Sequence, residues 1–272
     1  MVLETYWGLR ESPFRSLNER KYFFASPTHT EALARLQFLL QQQRSLGVLS
    51  GAEGMGKSLL LKVFAHELRQ SGAAACSANL LGMEPTDFAW SLAADLGTNP
   101  RTADSSFVLW RRIADRLHEN RCQGQTTVLL LDDADQALHD VLIHVLRLLK
   151  SHPGAVTIIL AVDESRLSRL GGDLLQLAEL RIRLEPWDQH DVGAYLRTTL
   201  ERAGRTQNPF EDTAVVRLQE LSNGIPRWVA QCAELSLASG AAQRLETIPA
   251  DIVEAVHQEL GLPEWKYEGL ST

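Results

Sequence analysis

Eight consecutive residues, Gly51-Ala52-Glu53-Gly54-Met55-Gly56-Lys57-Ser58, fill the pattern G-x-x-x-x-G-K-[ST]. Glycines in such a loop accept positive φ and let successive backbone N–H groups close around an anion. An ammonium and a hydroxyl at its end suit the phosphates of a nucleotide: Lys57 reaches the β- and γ-phosphates, and Ser58 ligates Mg²⁺. Further along, the apolar run Val128-Leu129-Leu130-Leu131 ends in two carboxylates, Asp132-Asp133. A parallel strand delivers its C-terminal residues to the ligand side of a sheet. There Asp132 is the candidate for the Mg²⁺ shell, and Asp133 the candidate for orienting or deprotonating an attacking water. Taken alone, the carboxylate pair reads equally well as a turn after a core strand. Its position downstream of the glycine loop favours the chemical reading.

No other constellation competes. The eight histidines are scattered, and the closest pair, His139 and His144, stands five apart, a spacing that does not share a helix face. Cys76, Cys122 and Cys232 are odd in number and lack metal-ligand spacing, which reads as reduced thiols in a cytosolic protein. Neither a Ser/His/Asp nor a Cys/His arrangement is suggested by spacing.

The loop needs a strand before it and a helix after it. Leu46 to Ser50 supplies an apolar strand, and Leu59, Leu60, Val63, Phe64 and Leu68 recur at helical spacing behind Ser58. Further strands are expected at Ala73 to Leu80, Val128 to Leu131, Val156 to Val162 and Arg181 to Leu184. Helices are expected at Pro85 to Leu96, Ser105 to Asn120 and Val141 to Lys150. Strands alternating with helices predict an α/β domain with a mostly parallel sheet. After Pro186-Trp187-Asp188 the pattern turns all-helical, with Asp188 as a cap and helices near Val192–Leu200, Asp212–Leu221, from Pro226, and Ala250–Leu260. The predicted organisation is an aromatic-rich arm over 1–30, a P-loop α/β domain over 31–187, a small helical lid over 188–262 and a tail over 263–272.

The 44% hydrophobic and 22% charged composition over 272 residues is that of a globular chain able to bury its own core. Net charge is −7, from 27 Lys and Arg against 34 Asp and Glu. That balance gives no general attraction to nucleic acid or anionic lipid, though a local basic patch such as Arg111-Arg112 with Arg116 remains open. No apolar run approaches the ~18 residues of a membrane span, and the N-terminus lacks a signal core.

These residues together resemble the AAA+ superfamily, and more closely the ExeA-type ATPases of general secretion and pilus-biogenesis systems. The likeness begins at Tyr6-Trp7-Gly8-Leu9 and Glu11-Ser12-Pro13-Phe14, and runs through Tyr22-Phe23 and His29-Thr30-Glu31-Ala32-Leu33. It takes in the glycine loop and the Asp132-Asp133 strand, then Gln176-Leu177-Ala178, Arg181-Ile182, Ala203-Gly204 and Ser222-Asn223-Gly224-Ile225-Pro226-Arg227. The resemblance implies ATP and Mg²⁺ as ligands, with ATP between the α/β domain and the lid. It implies nucleotide contacts from Gly51, Glu53, Gly54, Met55, Gly56, Lys57, Ser58 and Leu59, and from the arm at Pro13, Phe14 and Tyr22 near the adenine. Arg227 takes the place of the lid arginine that senses the γ-phosphate, and Arg181 that of an arginine acting across a subunit interface. As alternatives, Arg227 and Arg181 read as surface arginines, and the arm aromatics as plain packing.

Two positions depart from the family pattern. Asp133 replaces a glutamate and is one methylene shorter, which can misplace a catalytic carboxylate by roughly an ångström and slow the reaction on the order of 100-fold. Ala161-Val162-Asp163 replaces a Gly-Gln-Pro phrase, so a polar sensor at this strand end rests on Asp163. The resemblance implies an ATP-hydrolysing machine for a secretion, pilus or polysaccharide-export system, self-associating as a hexamer and held at the inner membrane face by a partner rather than by insertion. Two alternatives stand beside it: an ATP-dependent switch with little turnover, and a DNA-associated ATPase of the transposition target-selection type, disfavoured by the acidic balance.

Overall fold

A computed structural model describes residues 3–14 and 19–261; the tail expected over 263–272 lies outside them. In chain order its main elements are α1 (Leu3–Trp7), α2 (Pro27–Gln41), β1 (Leu46–Gly51), α3 (Lys57–Gln70), β2 (Ala74–Asn79), α4 (Pro85–Asp95), α5 (Ser106–Cys122), β3 (Thr127–Asp132), α6 (His139–Ser151), β4 (Thr157–Asp163), α7 (Gly172–Leu177), β5 (Leu180–Arg183), α8 (Gln189–Arg202), α9 (Asp212–Ser222), α10 (Pro226–Gln243) and α11 (Ala250–Leu260). Short 3-10 turns follow β3 at Ala134–Gln136 and β4 at Glu164–Leu170. The elements fall into two compact units. Among the described residues, one holds His29–Glu53 and Lys57–Leu184; the other holds those before His29, Gly54–Gly56, and those from Glu185 to Gly261.

The first unit is the expected α/β fold. Its five strands run parallel in the order β2-β3-β4-β1-β5. Every residue of β1 is buried, as are all of β3 and β4 but their final aspartates. Strands covered on both faces need this unbroken apolar composition. Leu60, Leu61, Phe64, Ala65 and Leu68 form the buried stripe of α3, at the spacing of one helix face. Fully burying a leucine or phenylalanine contributes about 1.5–3 kcal/mol, so this stripe fixes the start of α3 against the sheet. Helices α4 and α5 are set by Pro85 in the first turn and by the Ser105 hydroxyl, which accepts the Val108 N–H at 3.4 Å.

The second unit is helical. Trp7, Phe14, Trp187, Tyr195, Leu196, Val229 and Ile248 belong to its core. The Trp7 indole N–H donates to the Leu237 carbonyl and the Tyr6 hydroxyl to the Leu245 carbonyl, both at 2.8 Å. These bonds satisfy the polar ends of two large rings and tie α1 to α10 and to the segment that follows it. The Asp188 carboxylate caps α8 by accepting the Asp191 N–H at 2.8 Å, as its sequence position predicts. Gly224 carries a φ of +66°, and the Trp187 N–H donates to its carbonyl at 2.9 Å. A Cβ there would lie 2.1 Å from the Trp187 carbonyl oxygen, so only glycine allows the two backbones to approach this closely. Among the described residues no helix is long and apolar enough to cross a membrane.

Candidate functional site

Three neighbouring strands end together. The register sets Gly51 of β1 beside Asp163 of β4, and Asn79 of β2 beside Asp132 of β3. Since β3, β4 and β1 are adjacent in the sheet, Gly51, Asp163 and Asp132 line its carboxyl edge. Gly54 and Gly56 take φ of +86° and +88°, the conformation that turns the chain back into α3 without the steric cost a side chain would add. Lys57 and Ser58 are the first two residues of α3, at a helix end whose unpaired N–H groups favour an anion.

The Lys57 ammonium donates to the carbonyls of Gly51 at 2.8 Å and Ala52 at 3.0 Å. Burial holds its pKa below the ordinary lysine value, opposed by the charges of Asp163, Asp135, Asp132 and Asp133. Burial pushes the Asp132 carboxyl up from the usual carboxylate range, as does the Asp133 charge; a hydrogen bond from the Ser58 side chain, another from the Asp133 N–H at 3.1 Å, and Lys57 act the other way. Ser58 opens α3 directly after the glycine loop, and Asp132 closes β3 at the same edge of the sheet. Two hard oxygen donors, a hydroxyl and a carboxylate, fit a Mg²⁺ ion, which binds through few protein ligands and keeps several waters.

Asp133 sits in the left-handed region, at φ 50° and ψ 40°. That conformation is uncommon without glycine and points to a held geometry. One carboxylate oxygen accepts from the Asn79 amide at 2.8 Å, while the Asn79 carbonyl oxygen accepts the Leu81 N–H at 2.9 Å. Asn79 thus orients Asp133. The sequence reading missed it, because only the pairing of β2 with β3 sets it beside Asp132. Asp135 was also missed, and it lies buried in the turn after β3.

Asp163 closes β4, but its carboxylate accepts from both the N–H and the hydroxyl of Ser165 and so caps the following turn. Arg181 lies on β5 with its guanidinium donating to the Leu175 carbonyl at 2.9 Å. In the helical unit, Pro13 and Phe14 are buried, the Phe14 ring centroid lies 5.8 Å from that of Tyr195, and the Tyr22 hydroxyl donates to Glu11 at 2.9 Å. The Arg227 side chain is exposed, and its backbone N–H donates to the Gly54 carbonyl at 3.3 Å. Of the loop residues, Met55 is buried and Glu53 exposed, with Leu59 between those extremes. The basic patch considered on α5 is partly neutralised: Arg112 pairs with Asp104 at 2.6 Å and Arg116 with Glu119 at 3.6 Å. Asp188, His190 and Asp191 bring their ligand-type atoms within 4.8 Å of one another, a proximity that follows from Asp188 capping α8.

Residues 40–170 match the AAA domain family. Over 97% of its length the chain is 28% identical to General secretion pathway protein A of Aeromonas hydrophila, and it covers 48% of that protein, about half. Among solved structures, the Orc1 protein of Aeropyrum pernix, determined in complex with DNA, superposes with a TM-score of 0.68 at 18% identity, covering 93% of this chain and 74% of that one. The RuvB Holliday junction branch migration motor of Thermotoga maritima gives 0.61 at 16% identity, covering 92% and 76%. At these identities the structural likeness speaks for the fold.

Proposed function

Because this chain carries an AAA domain and is related along nearly its whole length to a general secretion pathway protein, we propose that it binds Mg-ATP at Gly51–Ser58 and hydrolyses it to drive assembly or remodelling of a cell-envelope secretion, pilus or polysaccharide-export system. The observation that carries this reading is geometric: β1 and β3 end at one edge of the sheet, which sets the glycine loop with its Lys57 anchored on Gly51 and Ala52 at the same edge as Asp132 and the Asn79-held Asp133. A chance glycine turn has no reason to gather a hydroxyl, an ammonium and two carboxylates at one edge of a sheet.

In this reading the loop N–H groups and the start of α3 hold the phosphates. Lys57 exchanges its carbonyl partners for β- and γ-phosphate oxygens. Ser58 and Asp132 would hold Mg²⁺, which would supply positive charge against the phosphates when bound. Asp133, steadied by Asn79, orients a water toward the γ-phosphorus and takes up its proton as the bond to the β–γ bridging oxygen breaks. Arg227 senses the γ-phosphate and Arg181 acts on a neighbouring copy's nucleotide, in a self-associating, hexameric assembly recruited by a partner at the cytoplasmic face of the inner membrane. Pro13, Phe14 and Tyr22 complete the adenine side.

A second reading, a nucleotide-dependent switch with little turnover, draws on two features. Asp133 has a short reach, and the Asp163 carboxylate is turned toward Ser165. Mg²⁺-dependent ATP turnover at rising protein concentration decides between them, for the wild type, Lys57→Ala, Asp133→Asn and Arg181→Ala. Turnover per chain that climbs with concentration and falls in all three variants supports the assembling ATPase. ATP binding without turnover in the wild type removes it in favour of the switch.

A further inference from the structure

We infer that Asp135 is a positioning residue for this site: its side chain stands in for a missing strand carbonyl and holds the end of β4 in place beside the phosphate loop. The inference rests on the ATPase reading for its kinetic consequence, but its structural half does not.

The paired register between β3 and β4 runs from Val128 with Thr157 to Leu131 with Leu160. Beyond it β4 continues for three residues, Ala161, Val162 and Asp163, which pair with Leu49, Ser50 and Gly51 of β1. On the β3 side the strand-to-strand register has ended, because β3 turns at Asp133 into the 3-10 turn Ala134–Gln136. The Asp163 N–H would be left without a strand partner. It donates instead to Oδ1 of Asp135, at 3.0 Å. A carboxylate accepting a backbone N–H forms a stronger bond than a neutral carbonyl would, and it extends the sheet's cross-link by one position where the strand has already left.

The other oxygen explains why this is a built feature and not a convenience of packing. Asp135 is 4% exposed, and its Oδ2 is buried with no hydrogen bond. Its compensation is the guanidinium of Arg166, 3.6 Å away on the turn that follows β4. A buried carboxylate is costly unless paired and hydrogen-bonded. Here one oxygen pins the β4 end and the other draws in the turn beyond it, so a single side chain fixes both sides of Asp163. Asp163 in turn neighbours Gly51, whose carbonyl accepts from Lys57. The chain of contacts runs from the β3 turn through Asp135 to the β4 end and the β1 end, where the phosphate-binding lysine is held. Asp135 touches neither the phosphates nor the water in this scheme; it acts through the backbone of Asp163.

The test compares Asp135→Asn, which keeps an oxygen acceptor at the same reach, with Asp135→Ala and Asp135→Ser, which do not, and with Arg166→Gln. Two readouts are used on the full chain: hydrogen exchange of the Asp163 amide, and steady-state kinetics with Mg-ATP. Asp135→Ala and Asp135→Ser should expose the Asp163 amide to exchange at least tenfold faster. They should lower kcat at least tenfold while KM for ATP moves less than threefold. Asp135→Asn should keep the amide protected and kcat within about threefold of wild type, and Arg166→Gln should leave the amide protected. Should Asp135→Ala fail to fold, Asp135→Ser and Asp135→Asn carry the same comparison. An amide that stays protected in the Ala or Ser variant overturns the inference, as does an Asn variant no better than Ser in both readouts. If the wild type shows no turnover the ATPase reading fails, and the exchange arm still decides the role of Asp135.

Discussion

Asp133 reaches one methylene less far than a glutamate would, yet the structure holds it with care: a left-handed backbone, an amide donor from Asn79, and Asp132 beside it. If Asp133 activates water as proposed and is limited by reach, lengthening it should help. Asp133→Glu should raise kcat by about tenfold, while Asp133→Asn should lower it by at least that factor, given the 10²–10⁴-fold weight of general base catalysis; single-turnover hydrolysis with excess protein measures both. A drop in both variants would mean that Asn79 and the left-handed turn have adapted to aspartate and that reach is not limiting. At this scale the sequence was informative where chemistry and spacing coincide. Lys57, Ser58, Asp132 and Asp133 are legible because a glycine loop and a strand end can each be recognised from neighbours along the chain. Asn79 and Asp135 were not legible, because what makes them part of the site is register across strands. Nothing in the local sequence tells Asp135 from an ordinary polar turn residue until β4 lies beside it.

Elements were read from periodicity, and the apolar strands came out within a residue or two of their observed bounds. The unforeseen pieces are short: α1, α7 and the 3-10 turns, each too brief to show a repeat. One junction between elements carries a sharp demand. Gly224 lies between α9 and α10 with positive φ and with the Trp187 backbone where a Cβ would sit. Gly224→Ala incurs both left-handed strain and a clash with a backbone oxygen that no rotamer change relieves. It should destabilise the folded chain by about 3 kcal/mol, read as a lower denaturation midpoint at unchanged m-value. Ala substitution at Gly124, where the space for a Cβ is open and φ is +69°, serves as the control and should cost about 1 kcal/mol for the strain alone. Equal effects at the two positions would show that the close approach at Trp187 is not tight.

On the scale of the whole chain, the three cysteines report how completely the two cores exclude water. Cys76 is buried in the α/β unit and its thiol is pushed up to about 12 by burial and by the charge of Asp95, against the opposing charge of Arg69; Cys232 is buried in the helical unit and is pushed up to about 11 by burial. Cys122 is exposed at the end of α5. The thiolate is the reactive form, so a thiol reagent at pH 8 should titrate one cysteine per native chain and three after denaturation. A second fast-reacting thiol in the native protein would locate a breach in one core, and labelled-peptide mapping would say which. The same experiment with saturating Mg-ATP should leave the count at one, since Cys122 ends α5 just ahead of the amino end of β3, whereas the candidate site lies at the carboxyl ends of the strands.

The strand order also sets a schedule for synthesis. β1 leads into the glycine loop, but both of its neighbours, β4 and β5, are encoded more than a hundred residues later. At a ribosome adding about 5–20 residues per second, the first strand waits roughly 7–25 s before the sheet that flanks it exists. For that interval Leu46, Val48 and Leu49 are an unpaired apolar edge, the kind of segment that chaperones shield and that aggregates when they do not. Slow codons between β1 and β4 would lengthen the exposure, and placing them after β5 would not.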